Sequence, residues 1–166
     1  NMARSLIGGL IADGYAARHI TVAEPDPQRR NDLAAHFGVA AVGDNHQAAV
    51  TADAVLFAVK PQVVRAVAES LGPVIRERNA VAISVAAGVR LTDLERWLGH
   101  GTAVVRTMPN TPALVGCGTT ALIANHPVTT AQRQLADSLL AAVGITLWLD
   151  DETQMDTVTA VSGSGP

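Results

Sequence analysis

Two rhythms of apolar and polar positions run along the chain. Met2, Leu6, Ile7, Leu10 and Ile11 recur at helical spacing and predict a helix over 2–12, stopped by Asp13-Gly14. Residues 20–24, ITVAE, then read as a short buried strand that Pro25 ends. A second helix follows from Asp26 to Gly38, with Asp26 as N-cap, Pro27 at the first position and Leu33, Ala34 and Phe37 on its apolar face. A short strand is expected at 39–42, and a small helix or a loop at 45–52. Residues 54–59 form a nearly continuous apolar run, as strands covered on both faces do. The next helical pattern, 63–77, is expected to break or kink at Gly72-Pro73. A buried strand is predicted at 80–85, then a helix at 91–99 capped by Thr92, with Glu95 completing a capping box. Two more strands, 102–108 and 119–125, precede a helix at 129–144 and a final strand at 145–150.

Strands alternating with helices across short connections predict a mostly parallel sheet with helices on both faces. Composition supports a packed domain: 48% of the 166 residues are apolar, 16% are charged, and only 3% are aromatic. The core must therefore be built from Ala, Val, Leu and Ile. The net charge of -3 and the single adjacent basic pair, Arg29-Arg30, argue against a nucleic-acid surface. No apolar stretch reaches membrane-span length and no signal peptide is visible, so a cytoplasmic protein is expected. Cys117 is the only cysteine, which rules out an internal disulfide, fits a reducing compartment and reads as a buried, inert thiol. The five histidines show no metal-ligand spacing, and Asp150, Asp151 and Glu152 read as a solvated face, so no metal site is expected. Both ends look cut, as in the middle of a longer protein.

In a sheet of this kind ligands bind beyond the carboxyl ends of the strands. Four segments lie there: Glu24, Lys60-Pro61, Ala86-Ala87-Gly88, and Met108 to Thr111. Glu24 closes what would be the second strand of a nucleotide-binding unit. There it can accept hydrogen bonds from the adenosine ribose hydroxyls, or it can simply be a turn carboxylate. A carboxylate there disfavours a ribose 2'-phosphate, which leans the cofactor toward NADH. Arg29 or Arg30 could swing round to offset it, or both could sit on the exposed face of their helix. Lys60, the only lysine, stands where a cofactor would pass, yet could point to solvent. Small residues from Val85 to Gly88 would let a flat ring approach the backbone, or mark only a turn.

The segments NMARSLIGGL (1–10), FAVKP (57–61), SVAAG (84–88), VVRTMPNTPALVGCG (104–118) and DTVTAVSGSGP (156–166) carry a resemblance. The chain resembles the pyrroline-5-carboxylate reductases over essentially its whole length. The resemblance implies a Rossmann-like dinucleotide-binding domain over 1–150, lacking its first strand here. It implies that 151–166 link to the start of an all-helical dimerisation domain. It implies reduction of the C=N bond of 1-pyrroline-5-carboxylate to L-proline with NADPH or NADH, the last step of proline biosynthesis. By the same resemblance Asn1 and Met2 close the glycine-rich loop, and Asn45 approaches the adenosine end of the cofactor. Ala58, Val59, Lys60 and Pro61 follow its ribose and pyrophosphate. Val85, Ala86 and Ala87 lie near the nicotinamide. Asn110 and Thr111 lie by the cleft, and Ser162, Gly163 and Ser164 open the helical domain on the substrate side. A homo-oligomer built through that domain is implied, with no nucleic-acid or membrane partner. Rival readings are a reductase of the same architecture acting on a hydroxy acid or a different imine, and a non-enzymatic dinucleotide sensor.

Overall fold

The computed structural model describes residues 2–110, 112–113 and 116–158. The elements run α1 (Met2–Ala12), β1 (Thr21–Ala23), α2 (Pro27–Phe37), β2 (Ala40–Val42), α3 (Asn45–Ala49), β3 (Ala54–Phe57) and α4 (Pro61–Glu77). They continue with β4 (Val81–Ser84), α5 (Leu91–Leu98), β5 (Val104–Pro109), β6 (Gly118–Ala124), α6 (Thr130–Ala141), β7 (Gly144–Trp148) and α7 (Thr153–Val158). A single 3-10 turn at Ala17–His19 joins α1 to β1.

Strands β1 and β2 pair in parallel as a two-stranded sheet. The other five form one sheet in the order β3-β4-β5-β6-β7. All its pairings are parallel except β5 with β6, which run antiparallel with Arg106 opposite Ile123. The fold is therefore Rossmann-like, with a mostly parallel sheet, and among the described residues no strand precedes α1.

Helices cover both faces of the larger sheet. On one face Val64, Ala68, Leu71 and Ile75 of α4 and Leu94 and Leu98 of α5 pack on Phe57, Ala82 and Val104. On the other, Leu6 of α1 and Ala136 and Leu140 of α6 pack on Val81, Ile83, Val105 and Leu122. Alternating side chains of β4 and β5 feed both layers, Ala82 and Val104 one and Val81, Ile83 and Val105 the other, which is why both strands are apolar on both faces over these positions. A smaller cluster of Ile7, Leu33 and Val39 joins α1 and α2 beside β1.

Helix α2 starts as its sequence predicts: Asp26 accepts a hydrogen bond from the Arg29 backbone N–H at 2.9 Å, and Pro27 opens the first turn. Thr129 caps α6 through a full capping box with Gln132. Two expectations fail. Helix α4 does not break at Gly72-Pro73; it runs on to Glu77 with Pro73 inside it. A proline there costs about 3 kcal/mol. Complete burial of Val64, Leu71 and Ile75 contributes about 1.5–3 kcal/mol each, and the last two flank the proline on one face. Packing outweighs the lost hydrogen bond. Gly72 is needed for that packing, because a side chain there would collide with the Leu98 carbonyl, which also accepts from Arg76.

The second failure is the cap of α5. The helix begins at Leu91 after Arg90, so Thr92 lies inside its first turn and makes no cap. Glu95 instead accepts from the Asn125 side chain at 2.8 Å. The Leu91 N–H is taken by the Glu152 carboxylate at 2.6 Å, from far along the chain.

Candidate functional site: the carboxyl ends of the parallel strands

Because β3, β4 and β5 are parallel, the residues that follow them share one edge of the sheet. Ala58 and Val59 continue past β3, with Val59 37% exposed. Lys60 is exposed and extended, at the N-cap position of α4, and Pro61 sets the first helical turn. Its carbonyl accepts from the Val63 N–H at 2.9 Å, so the backbone is held while the ammonium stays outside. The start of α4 thus combines a lysine with the partial positive charge of a helix N-terminus, a pairing suited to an anionic group.

After β4 the chain makes a small-residue corner. Val85 donates to the Phe57 carbonyl at 3.3 Å, and Ala86 donates to the Ser84 hydroxyl oxygen at 3.3 Å. The Ser84 carbonyl accepts from the Thr107 hydroxyl at 3.0 Å. Ala86 is buried, whereas Ala87 and Gly88 are exposed, and nothing lies within 4 Å of where a Gly88 side chain would begin. The corner is open and poor in side chains, and the Lys60 end carries positive charge. Ser84 and Thr107, which brace this corner from within, carry no signal in the sequence beyond being polar residues in apolar strands.

At the end of β5, Asn110 closes the mouth of the β5–β6 hairpin. Its backbone N–H donates to the Thr119 carbonyl at 3.2 Å, and its side-chain oxygen accepts from the Thr119 N–H at 2.9 Å. The side-chain oxygen is thus engaged in the hairpin. Cys117, beyond this corner, is exposed, not buried as its glycine flanks suggested. Thr111, Ser162, Gly163 and Ser164 lie outside the described residues, as does Asn1. Met2 begins α1 and packs into the core beneath it.

At the smaller sheet, Glu24 follows β1 and Asn45 starts α3 after β2. The Glu24 N–H donates to the Val42 carbonyl at 2.9 Å, extending the β1–β2 ladder by one bond. Its carboxylate accepts from the Asp26 N–H at 3.0 Å. The Arg29 N–H, bonded to the Asp26 carboxylate, holds that carboxyl below the ordinary value. Asn45 is exposed, behind the N-cap Asp44. Arg30 is not on the outer face of α2. Its guanidinium turns back and donates to the Glu24 carbonyl at 3.0 Å and the Pro25 carbonyl at 3.3 Å.

Glu152 is no solvated surface carboxylate. It pairs with Arg106 at 2.7 Å, and the Arg106 side chain is only 6% exposed. Together with the Leu91 bond, this carboxylate ties β5, the start of α5 and the approach to α7. Nothing local in 150–152 marks it, since its partners lie 46 and 61 residues away. Among the described residues no cluster of His, Cys, Asp and Glu could hold a metal ion.

A family model described as NADP oxidoreductase coenzyme F420-dependent matches residues 1–88 of the 166. The pyrroline-5-carboxylate reductase of Pseudomonas aeruginosa is 49% identical over 166 residues, which is 100% of this chain and 60% of that protein. A solved pyrroline-5-carboxylate reductase from Coxiella burnetii superposes with a TM-score of 0.96 at 41% identity, over 99% of this chain and 61% of its own. A Plasmodium falciparum pyrroline carboxylate reductase with NADP bound superposes with a TM-score of 0.83 at 25% identity, over 100% of this chain and 60% of its own. The chain spans about 60% of the length of the curated relatives it matches. With more than half its length inside the family model and its whole length alike to these enzymes, the chain belongs to the NADP oxidoreductase coenzyme F420-dependent family and is homologous to the pyrroline-5-carboxylate reductases.

Proposed function

We propose that this chain is the cofactor-binding part of an NAD(P)H-dependent reductase that converts 1-pyrroline-5-carboxylate to L-proline, closing proline biosynthesis. The observation that carries the reading is the shared rim of β3, β4 and β5. There a lysine at a helix start, a small-residue corner and an asparagine follow three parallel strands of a sheet like that of an NADP-bound relative.

When bound, the cofactor supplies a hydride for the carbon of the ring C=N bond. The chain's own residues bind and orient. Glu24 and Asn45 take the adenosine end. Lys60 and the first turn of α4, after Ala58 and Val59 and with Pro61, hold the phosphates. Val85, Ala86 and Ala87 form the floor under the reactive ring. Asn110 and Thr111 offer polar groups to the cleft. Met2, with Asn1 before it, closes the phosphate-binding loop. Ser162, Gly163 and Ser164 belong on the substrate side.

The same reading divides the chain into a cofactor domain over 1–150 and, over 151–166, the entrance to a helical domain through which a homo-oligomer forms. It places the protein in the cytoplasm. Among the described residues no helix is long and apolar enough to cross a membrane, in keeping with that placement.

The test is turnover by the full-length protein with 1-pyrroline-5-carboxylate and each reduced cofactor in turn, read as loss of reduced-cofactor absorbance and gain of proline. Substrate-dependent oxidation with stoichiometric proline is expected. A folded protein that consumes neither cofactor would remove the assignment.

A further inference from the structure

Resting on the function proposed above, we propose that Glu152 is a positioning residue for hydride transfer. Its carboxylate fixes the small-residue corner after β4 against β5 and ties both to the segment that leads into α7.

The case begins with what meets at one atom. Oε1 of Glu152 accepts from the Leu91 backbone N–H at 2.6 Å and from the Arg106 guanidinium at 2.7 Å. Leu91 opens α5, just beyond the corner at Val85 to Gly88. Arg106 lies on β5, the strand that runs on through Met108 and Pro109 to Asn110. Glu152 itself directly precedes α7, whose Met155 is fully buried against Ala121 and Ile123 of β6. Leu91 and Met108 pack on that same cluster. The corner is therefore held at both ends: Ser84 and Thr107 brace it at the strand, and Glu152 holds its far side.

The second point is why a carboxylate stands there. Stability alone does not call for it, because a buried ion pair can be exchanged for well-packed apolar side chains with little loss. An apolar cluster supplies buried area but tolerates sliding, whereas hydrogen bonds to a charged oxygen fix distance and direction. The Leu91 N–H at the start of α5 also needs an acceptor, and negative charge suits that end of a helix. One oxygen thus sets the spacing between the corner and β5, the two segments read above as the floor under the reactive ring and the approach to the cleft. Hydride transfer is sensitive to that spacing, since a misplacement of about 1 Å can cost about a hundredfold in rate.

The experiment uses the full-length protein with 1-pyrroline-5-carboxylate, well below the melting midpoint, and calorimetric cofactor titration of the same samples. We expect Glu152→Ala to lower kcat per folded protein at least about tenfold while the cofactor Kd moves less than about threefold. Glu152→Gln keeps an oxygen for the Leu91 N–H and should retain more of kcat than Glu152→Ala. Glu152→Ala with Arg106→Met removes the stranded charge, so stability should recover while kcat stays low; with Glu152→Gln it also serves if Glu152→Ala alone does not fold. Cofactor deuterated at the transferred hydrogen should give these variants an isotope effect at least as large as that of the wild type. A kcat that stays within about twofold of wild type, or that returns with stability in the double variant, would make Glu152 a purely stabilising tie and overturn the inference. A cofactor Kd weakened as much as kcat would overturn it too, as would a smaller isotope effect, which would mean that another step had slowed. A folded wild-type protein that oxidises neither cofactor with this substrate would instead remove the function on which the inference stands.

Discussion

At the scale of single residues, the most consequential side chains are charged ones that the fold has turned inward. Arg106 occupies a buried strand position, and its charge is met by Glu152 alone among the described acidic residues. Removing one partner of such a pair leaves the other charge stranded, which costs more than the intact pair is worth. Glu152→Ala should therefore lower the unfolding free energy by about 2–4 kcal/mol, below the top of the range for buried pairs because the Glu152 side chain stays 28% exposed. Adding Arg106→Met to that variant should restore part of the loss, since the stranded charge goes with it. Denaturant titrations of the two variants decide the point; a loss under about 0.5 kcal/mol for Glu152→Ala would mean water reaches Arg106. Neither partner could be matched from sequence. Arg106 reads as the polar end of a strand, and Glu152 as one of three adjacent acids. For Arg30 the sequence leaves an inward and an outward path open, because helix periodicity gives a direction for Cα–Cβ and not the path of a long flexible side chain.

At the scale of elements, the rhythm of apolar positions located nearly everything. Continuous runs marked β3 and β4, and a local cap marked α2, because those signals lie within four residues of what they control. Where the outcome depended on distant partners, the local signal misled. Thr92 and Glu95 have the spacing of a capping box, but Asn125 and Glu152 competed for the same corner and changed where α5 begins. Gly72-Pro73 reads as a break or a kink, and of these the break does not occur: α4 continues because its buried stripe spans the pair. The two residues should respond in opposite directions. Gly72→Ala places a methyl against the Leu98 carbonyl and should lower the melting midpoint by several degrees. Pro73 is exposed, and Pro73→Ala would restore an N–H to the helix ladder, worth about 1 kcal/mol after the looser unfolded chain is counted. Thermal unfolding of both variants checks the pair; two losses would mean Pro73 itself packs in a way the helix needs.

For the molecule as a whole, the sheet has one edge strand whose exposure the sequence does not announce. Residues 145–150 read simply as a final strand, since alternation of Ile, Leu and Trp cannot say which strand ends a sheet. Among the described residues β7 pairs only with β6, and its side chains divide by face. Thr146 and Trp148 turn toward α6, where both bond Asp137, at 2.7 and 2.9 Å. Arg133 stacks on the same Trp148 ring at 4.0 Å. Ile145 and Leu147 turn the other way and remain 69% and 50% exposed. Opposite Ile145 and Leu147 in β6 stand Thr119 and Ala121, and Ala121 packs with Met155 of α7. An edge strand with open backbone groups and two bare aliphatic side chains favours association with another copy. The 166-residue chain should therefore self-associate with rising concentration. Ile145→Lys with Leu147→Lys should suppress that association by placing two like charges on the edge. The melting midpoint should hold within about 3 °C, because neither side chain is in the core. Light scattering across a concentration series, paired with a melt, separates the possibilities. Unchanged association would locate the contact elsewhere on the surface. A large drop in the midpoint would mean that Ile145 and Leu147 contribute to folding despite their exposure.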